Sequence, residues 1–242
     1  MTATAIRLTA VGKRFGGPRS PQVLDGIDLE VGEGEFVCLL GASGCGKSTL
    51  LNLVAGLDAP TSGSIEVPGD GAAVMFQESA LMPWLTARRN VELALRLRGA
   101  PRAGRRAEAE RLLGLVNLAD AADQRPHELS GGMRQRVALA RALAQDRTVL
   151  LMDEPFAALD AITRDLLHEE LERVWRETGR TILFVTHNVH EAVRLAQRIV
   201  LLSSRPGRVA GQWRTDAPGL DAGTVAREIT ERLRKEIASN AA

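Results

Sequence analysis

The sequence lacks the features of a membrane-spanning, disulfide-bonded or nucleic-acid-binding protein. No uninterrupted apolar run approaches the roughly 20 residues that a bilayer-spanning helix needs. The 31 basic and 30 acidic residues leave a net charge of +1, so no overall positive field would hold DNA or RNA. Cysteine is scarce as well, and with no secretory signal in the chain we expect Cys38 and Cys45 to be reduced thiols. A length of 242 residues suits one large domain with an attached lobe.

Lysine is scarce too, since only Lys13, Lys47 and Lys235 occur among the 31 basic residues. Lys47 stands in the segment Gly41-Ala-Ser-Gly-Cys-Gly-Lys-Ser48, which fits the phosphate-loop pattern G-x-x-x-x-G-K-[ST]. Average residue usage would produce that pattern in about one chain of this length in a hundred. Because a compact ammonium suits a position between phosphate oxygens, the segment predicts a nucleotide site.

The residues on either side of this segment match its predicted role. Glu35 to Leu40 is a continuous apolar run typical of a buried parallel strand, and Lys47 to Ala55 favours a helix that Gly56 would end. The glycines at 41, 44 and 46 leave backbone N–H groups unobstructed by Cβ atoms. Strand, glycine loop and helix N-terminus therefore occur in the order that phosphate binding requires.

A second strand ends in two carboxylates. Thr148 to Met152 is apolar, and Asp153 and Glu154 follow it directly. Nucleotide hydrolysis needs a hard cation and a group that positions water, so we expect Ser48 and Asp153 to hold Mg²⁺ and Glu154 to polarise the attacking water. Such an acidic pair is common at the start of loops, and its weight comes from the phosphate loop in the same chain.

Between these two elements lies Leu129-Ser-Gly-Gly-Met-Arg-Gln-Arg136. With the three elements in this order, the chain resembles the ATP-binding cassette family, the ATPase subunits of ABC transporters, from about Ile6 to Val209. The resemblance implies an α/β fold: a P-loop NTPase core with a mostly parallel sheet, an N-terminal antiparallel β subdomain and an inserted α-helical lobe. It implies one domain over 1–242, with a catalytic core at about 1–85 and 147–220, a helical subdomain at about 86–146 and a C-terminal helix at 221–242.

The resemblance also implies roles for individual residues. Catalysis would use Lys47, Gln77, Glu154 and His187, and Mg²⁺ would be held by Ser48, Gln77 and Asp153. Residues implied to bind ATP are Phe15, which would stack on adenine, Gly41, Ala42, Ser43, Gly44, Cys45, Gly46, Lys47, Ser48, Thr49, Ser130, Gly131, Gly132 and Asp160. In the family the phosphate loop of one copy faces the serine-glycine segment of another, so a head-to-tail, ATP-bound homodimer is expected.

Two positions depart from the family pattern, and several residues have plainer explanations. Met133 stands where the family has glutamine, and Asn188 where aspartate often follows the histidine. Phe15 could be an ordinary core aromatic residue and Gln77 a solvated loop residue. The spacing of His187 and His190 could indicate a metal site, which we discount because no further Cys or His lies close by. His127 and His168 are interpreted as surface residues.

The region after Gln77 predicts the transport partner. Leu81, Met82, Trp84 and Leu85 are expected to be exposed around Pro83, where the family contacts its membrane subunits. Three segments together resemble the ATPase subunits of importers for nitrate, sulfonates, taurine and bicarbonate. They are the region after Gln77, the segment from Ala157 to Arg164, and Leu201-Leu-Ser-Ser-Arg-Pro-Gly-Arg208. We therefore expect the transported solute to be a small oxyanion. We also expect separate membrane subunits, a periplasmic or surface solute-binding protein, and a place for this chain on the cytoplasmic face of the membrane.

The alternatives are a soluble non-transport ATPase of the same family, an importer for another small solute, and a P-loop kinase or GTPase. The first would normally carry paired cassettes or a long coiled-coil insertion, and the last would have no reason to carry the serine-glycine segment.

At the chain ends, short strands with turns at Gly12, Gly16-Gly17 and Gly32 to Gly34 are predicted before residue 35. Val225, Ile229, Leu233 and Ile237 have helical spacing, which predicts an amphipathic helix against the core.

Overall fold

Strands and helices alternate over most of the chain in a computed structural model that describes residues 3–17, 19–216 and 221–238. The strands are β1 (Thr4–Arg14), β2 (Gln22–Gly32), β3 (Phe36–Leu40), β4 (Ser62–Glu66), β5 (Ala72–Met75), β6 (Val149–Asp153), β7 (Thr181–Thr186), β8 (Arg198–Leu202) and β9 (Val209–Arg214). The α-helices are α1 (Lys47–Val54), α2 (Ala87–Leu97), α3 (Arg105–Leu115), α4 (Gly131–Leu143), α5 (Ala161–Thr178), α6 (Val189–Leu195) and α7 (Ala222–Ala238).

Two compact units divide the chain. Unit 1 comprises the described residues of Met1–Ala72 and Arg180–Ala242, and unit 2 comprises Ala73–Gly179. The predicted division into 1–85 with 147–220, 86–146 and 221–242 stays a prediction, and its ends at residues 1–2 and 239–242 lie outside the described residues. No helix in the described ranges has both the length and the apolar character required to cross a bilayer.

An antiparallel sheet forms the N-terminal part of unit 1, with strands in the order β2, β1, β4. The turn predicted at Gly12 is wrong, because β1 continues through this residue to pair with β4. The register of that pairing shifts between Thr9 and Gly12, and a Cβ on Gly12 would lie 2.4 Å from the Ser62 hydroxyl oxygen. Gly12 therefore marks an irregularity with a close strand approach rather than a chain reversal.

The second sheet of unit 1 sets the position of the phosphate loop. Its strands lie in the order β7, β3, β8, β9, with β3 parallel to both β7 and β8 and β9 antiparallel to β8. Every residue of β3 and β7 is buried. Such continuous burial is typical of strands in a parallel sheet that is covered on both faces. Leu40 pairs with Thr186, so the carboxyl ends of β3 and β7 lie together at one edge.

Unit 2 contains four of the helices and the strands β5 and β6. Three helices begin with a polar side chain that accepts a hydrogen bond from a backbone N–H of the first turn: Thr86 for α2, Ser130 for α4 and Asp160 for α5. The interpretation of His168 as a surface residue is wrong. Only 3% of it is exposed, and its ring lies 5.6 Å from that of Phe156, because it occupies the inward face of α5.

The described C-terminal part of unit 1 is the helix α7, which packs on α6. Val225 and Ile229 are buried, Leu233 is half-buried, and Ile237 is exposed. The predicted apolar stripe is thus buried in the first half of the helix and opens to solvent towards its end.

We expect Gly132→Ala to destabilise the protein, because α4 and α5 approach each other closely at this glycine. A Cβ on Gly132 would lie 2.5 Å from Thr163 Cγ2, and a β-branched side chain has little freedom to move away. Overpacking of this kind costs about 1–3 kcal/mol of unfolding free energy. Urea denaturation of the full chain measures the change.

Gly114→Ala is the matched control, since nothing lies within 4 Å of a Cβ at that position in α3. It should raise the unfolding free energy by roughly 0.5–1 kcal/mol. Equal effects of the two substitutions would contradict the close approach of α4 and α5.

Candidate functional site

The phosphate loop of unit 1 joins the end of β3 to the start of α1. Gly44 and Gly46 have φ angles of +77° and +100°, which residues with a Cβ rarely adopt. Gly41 has a different requirement, because a Cβ there would lie 2.6 Å from Cys45 Sγ and 3.1 Å from Leu202 O. Gly46 also begins α1 without a side-chain cap. The three glycines thus give a backbone cradle at a helix N-terminus, as the sequence predicts.

Lys47 lies inside this cradle. Only 5% of the residue is exposed, and its Nζ donates hydrogen bonds to Gly41 O at 2.9 Å and Ala42 O at 3.2 Å. Ser43, Gly44 and Ser48 are exposed, and Ala42 and Thr49 are half-buried. The two cysteines are buried, and burial raises the pKa of the Cys38 thiol. An ammonium held by loop carbonyls is well placed to exchange them for phosphate oxygens.

Phe15 presents a ring that is 53% exposed. Lys13 lies beside it, with Nζ 4.9 Å from the ring centroid, and donates hydrogen bonds to Asp58 Oδ1 at 2.6 Å and Ala59 O at 2.7 Å. The hydrogen bond from Lys13 holds the pKa of the Asp58 carboxyl below its usual range. The exposed ring does not fit the alternative of an ordinary core aromatic residue. The position of Lys13 beside the ring was not predicted, although a rare lysine two residues before Phe15 was a usable signal.

His187 follows β7 directly and is exposed. The turn that carries it is fixed on its far side: Asn188 donates its backbone N–H to Thr186 Oγ1 at 3.0 Å. The Asn188 side chain in turn accepts hydrogen bonds from the backbone N–H groups of His190 and Glu191. Asparagine therefore caps α6 as an aspartate would, which explains how the family departure at this position is tolerated.

The carboxylates of unit 2 lie at the end of β6. The first four residues of this strand are buried, and Asp153 and Glu154 are half-buried where it ends. Glu154 has a φ of +42°, a conformation that is uncommon for a residue with a side chain. Backbone conformations of this kind concentrate at functional sites.

The serine-glycine segment opens α4. Ser130 is exposed, and its Oγ accepts a hydrogen bond from the Met133 backbone N–H at 3.2 Å. This contact uses the main chain of residue 133, so methionine in place of glutamine leaves it intact. Asp160 caps α5 in the same way, accepting from Thr163 N at 3.0 Å and Thr163 Oγ1 at 2.7 Å. These bonds, the backbone one first, lower the pKa of its carboxyl group.

Gln77 is exposed, and side chains of α4 hold the backbone around it. The buried Gln135 donates from Nε2 to Gln77 O at 2.8 Å. Arg141 donates to Ser79 O at 2.6 Å and to Ala80 O at 2.7 Å, and burial lowers the pKa of its guanidinium. Gln135 and Arg141 were not predicted as supports of this backbone, although polar side chains on a helix rich in Val, Ala and Leu were a signal.

The loop after Gln77 exposes Trp84, at 69%, but not its apolar neighbours. Leu81, Met82 and Leu85 are half-buried, so the prediction of an exposed cluster is wrong for these three residues. The cause is Asn90 on α2, which is fully buried. Its Oδ1 accepts from Met82 N at 2.8 Å, and its Nδ2 donates to Leu85 O at 3.3 Å. Trp84 remains as the protruding side chain.

Comparison with known proteins places these elements in one family. Residues 24–157 match the profile of the ABC transporter family. The taurine import ATP-binding protein TauB of Chromobacterium violaceum is 51% identical over 85% of this chain and 81% of its own length. The nitrate import ATP-binding protein NrtD of a Synechocystis strain is 47% identical over 88% and 84%.

Solved structures agree with the sequence comparison. The dimeric bacterial ABC transporter cassette MJ0796 has a TM-score of 0.76 and 35% identity, over 88% of this chain and 99% of that one. A dimeric post-hydrolysis state of the same cassette, bound to ADP and phosphate, has a TM-score of 0.75 and 33% identity over the same shares. The predicted α/β P-loop fold is confirmed. The chain belongs to the ABC transporter family, and it is one of the subunits that bind and hydrolyse ATP.

Proposed function

We propose that this chain powers an importer of a small oxyanion, as an ATPase subunit on the cytoplasmic face of a membrane. The observation that carries the proposal is the pairing, in one chain, of an ATPase site with an exposed tryptophan on the loop after Gln77. The relatives named for taurine and nitrate import support a sulfonate or nitrate-like solute. Separate membrane subunits would form the pore, and a solute-binding protein would deliver the solute.

ATP would join two copies of the chain head to tail. In one copy, the loop from Gly41 to Thr49 would hold the phosphates and Phe15 would stack on adenine. In the second copy, Ser130, Gly131 and Gly132 would contact the γ-phosphate from the start of α4, and Asp160 would lie at the seam. Ser130 Oγ now accepts the Met133 amide, which leaves its hydroxyl hydrogen to donate to a phosphate oxygen. The predicted core, helical subdomain and C-terminal helix are part of this proposal.

The oxygen donors of three residues suit a magnesium ion. Ser48 offers a hydroxyl, Gln77 an amide carbonyl and Asp153 a carboxylate, and each is exposed or half-buried at the end of a regular element. Hard oxygen ligands of this type are the ones Mg²⁺ prefers, together with waters and substrate phosphates. When bound, the ion would neutralise charge on the β- and γ-phosphates.

Hydrolysis would transfer the γ-phosphoryl group to water. Glu154 would accept a proton from the water while the water oxygen attacks the γ-phosphorus. The bond between the γ-phosphorus and the oxygen that bridges to the β-phosphate would break, giving ADP and phosphate. Lys47 would stabilise the charge that develops on the leaving oxygens, and His187 and Gln77 would detect the γ-phosphate. Loss of that phosphate would weaken the contact between the copies, and their separation would drive the membrane subunits.

Glu154→Gln should slow hydrolysis strongly while preserving ATP binding, because the amide cannot accept the proton from water. We expect kcat to fall by about 100-fold or more. The variant should also elute as a dimer on a sizing column with ATP and Mg²⁺. Glu228→Gln, an exposed change on α7, is the control and should retain normal turnover. Normal kcat in the Glu154 variant, or a monomer at saturating ATP, would contradict the assigned roles.

Trp84→Ala should uncouple the ATPase from its membrane subunits. Loss of a protruding aromatic anchor costs about 2 kcal/mol or more at an interface, roughly a 30-fold weaker complex. Basal hydrolysis by the isolated chain should stay unchanged. Leu97→Ala, which removes a more exposed apolar side chain at the end of α2, is the control. Equal co-purification of the membrane subunits with the unsubstituted chain, Trp84→Ala and Leu97→Ala would exclude Trp84 as the anchor.

The solute class is tested with the complete importer in vesicles. Taurine, an alkyl sulfonate, nitrate and bicarbonate, each with the solute-binding protein, should be compared with an amino acid and a sugar for stimulation of ATP hydrolysis. We expect stimulation by one of the oxyanions alone. Stimulation by the amino acid or sugar would favour an importer for another solute, and a chain that forms no complex with membrane subunits would favour the soluble ATPase.

A further inference from the structure

The segment Ser203–Arg208 is fastened to the strand β2 beside the phosphate loop. Gly207 N donates to Val23 O at 2.8 Å, and Asp25 N donates to Gly207 O at 3.0 Å. The segment is also closed on itself, since Ser203 Oγ donates to Pro206 O at 2.9 Å and accepts from Arg208 N at 2.9 Å. Its backbone is therefore a fixed support rather than a loose connection.

This support touches the phosphate loop at two points. A Cβ on Gly207 would lie 2.3 Å from Cys45 O, so the two backbones are in direct contact there. Two residues earlier, the Arg205 side chain reaches the tip of the loop: a Cβ on Gly44 would lie 3.3 Å from Arg205 Nη2 and 4.0 Å from Nε. The guanidinium thus lies beside the exposed turn of the cradle.

Arg205 differs from its neighbour Arg208 in how its charge is balanced. Arg208 donates from Nε to Asp25 Oδ2 at 2.8 Å and forms an ion pair with that carboxylate. Arg205 is exposed, and it makes no hydrogen bond or ion pair with any residue that the structure describes. Its planar set of N–H donors is available, and such a set matches phosphate oxygens.

We propose that Arg205 is a further nucleotide-binding residue, whose guanidinium contacts the terminal phosphates of ATP or ADP from outside the phosphate loop. Lys47 approaches from within the cradle, and Arg205 adds a second positive charge at its exposed rim. The segment Ser203–Arg208 positions this charge through Gly207. The inference builds on the ATP site of the family, and it assigns to this chain a phosphate ligand from a different strand end.

Equilibrium titration of the full chain with MgADP and with a magnesium complex of a non-hydrolysable ATP analogue tests the assignment. Arg205→Gln should weaken both affinities by about tenfold, the effect of losing one charged hydrogen bond. Arg205→Lys, which keeps the charge and loses the planar fork, should lose less. Arg208→Gln is the matched control from the same segment, and its affinities should stay within about twofold of the original.

The ionic-strength dependence of MgADP binding separates a phosphate contact from a structural role. Removing a charge that contacts phosphate should make binding by Arg205→Gln less sensitive to salt than binding by the original chain. An Arg205→Gln variant with unchanged affinity and unchanged salt dependence would overturn the proposal. So would equal losses in the Gln and Lys variants accompanied by a lowered Tm. Failure of the unsubstituted chain to bind MgADP would instead refute its ATPase function.

Discussion

The buried ammonium of Lys47, at the start of the helix that follows the buried strand β3, is the constraint on which the phosphate loop of unit 1 depends. Desolvating a charge costs several kcal/mol unless polar partners replace water, and Gly41 and Ala42 supply them through their carbonyl oxygens. The loop between those carbonyls and Lys47 passes through left-handed glycines at 44 and 46, a conformation that residues with a Cβ rarely adopt. The loop in turn needs a fixed base, which β3 provides because neighbouring strands pair with it on both sides. The buried strand β3 therefore supports the same loop that is suited to bind an anion.

In unit 2 the helix α4 supports two segments for which phosphate recognition is predicted. Its first residues form the serine-glycine segment, and its buried side chains Gln135 and Arg141 hold the backbone that follows β5. Ala80 in that backbone has a φ of +43°, a conformation that needs such support. A displacement of α4 would therefore act on Gln77 and Ser130 together, and on the backbone that leads from Gln77 into the loop carrying Trp84.

The sequence predicted what depends on local pattern and missed what depends on distant partners. Continuous apolar runs predicted β3 and β6, and the glycine pattern predicted the phosphate loop. Gly12 was interpreted as a turn because the opposing Ser62, fifty residues later, cannot be inferred from the local sequence. The prediction for His168 was wrong for a similar reason, since a polar residue in a charged helix does not indicate that the Phe156 ring lies against it. Predicting that Met82 and its apolar neighbours are half-buried required knowing that Asn90 bonds to the main chain of their loop.

Met133 separates the structural demands on the serine-glycine segment from its chemical ones. Ser130 must carry an oxygen because α4 needs a cap, and Gly132 must lack a Cβ because Thr163 occupies that space. These two positions are constrained by the fold before any nucleotide binds. Position 133 contributes only its backbone N–H to the cap, so the fold places no such demand on its side chain. The cap of α4 therefore tolerates a departure from the family pattern at 133, whereas a change at 130 or 132 would disturb the start of this helix.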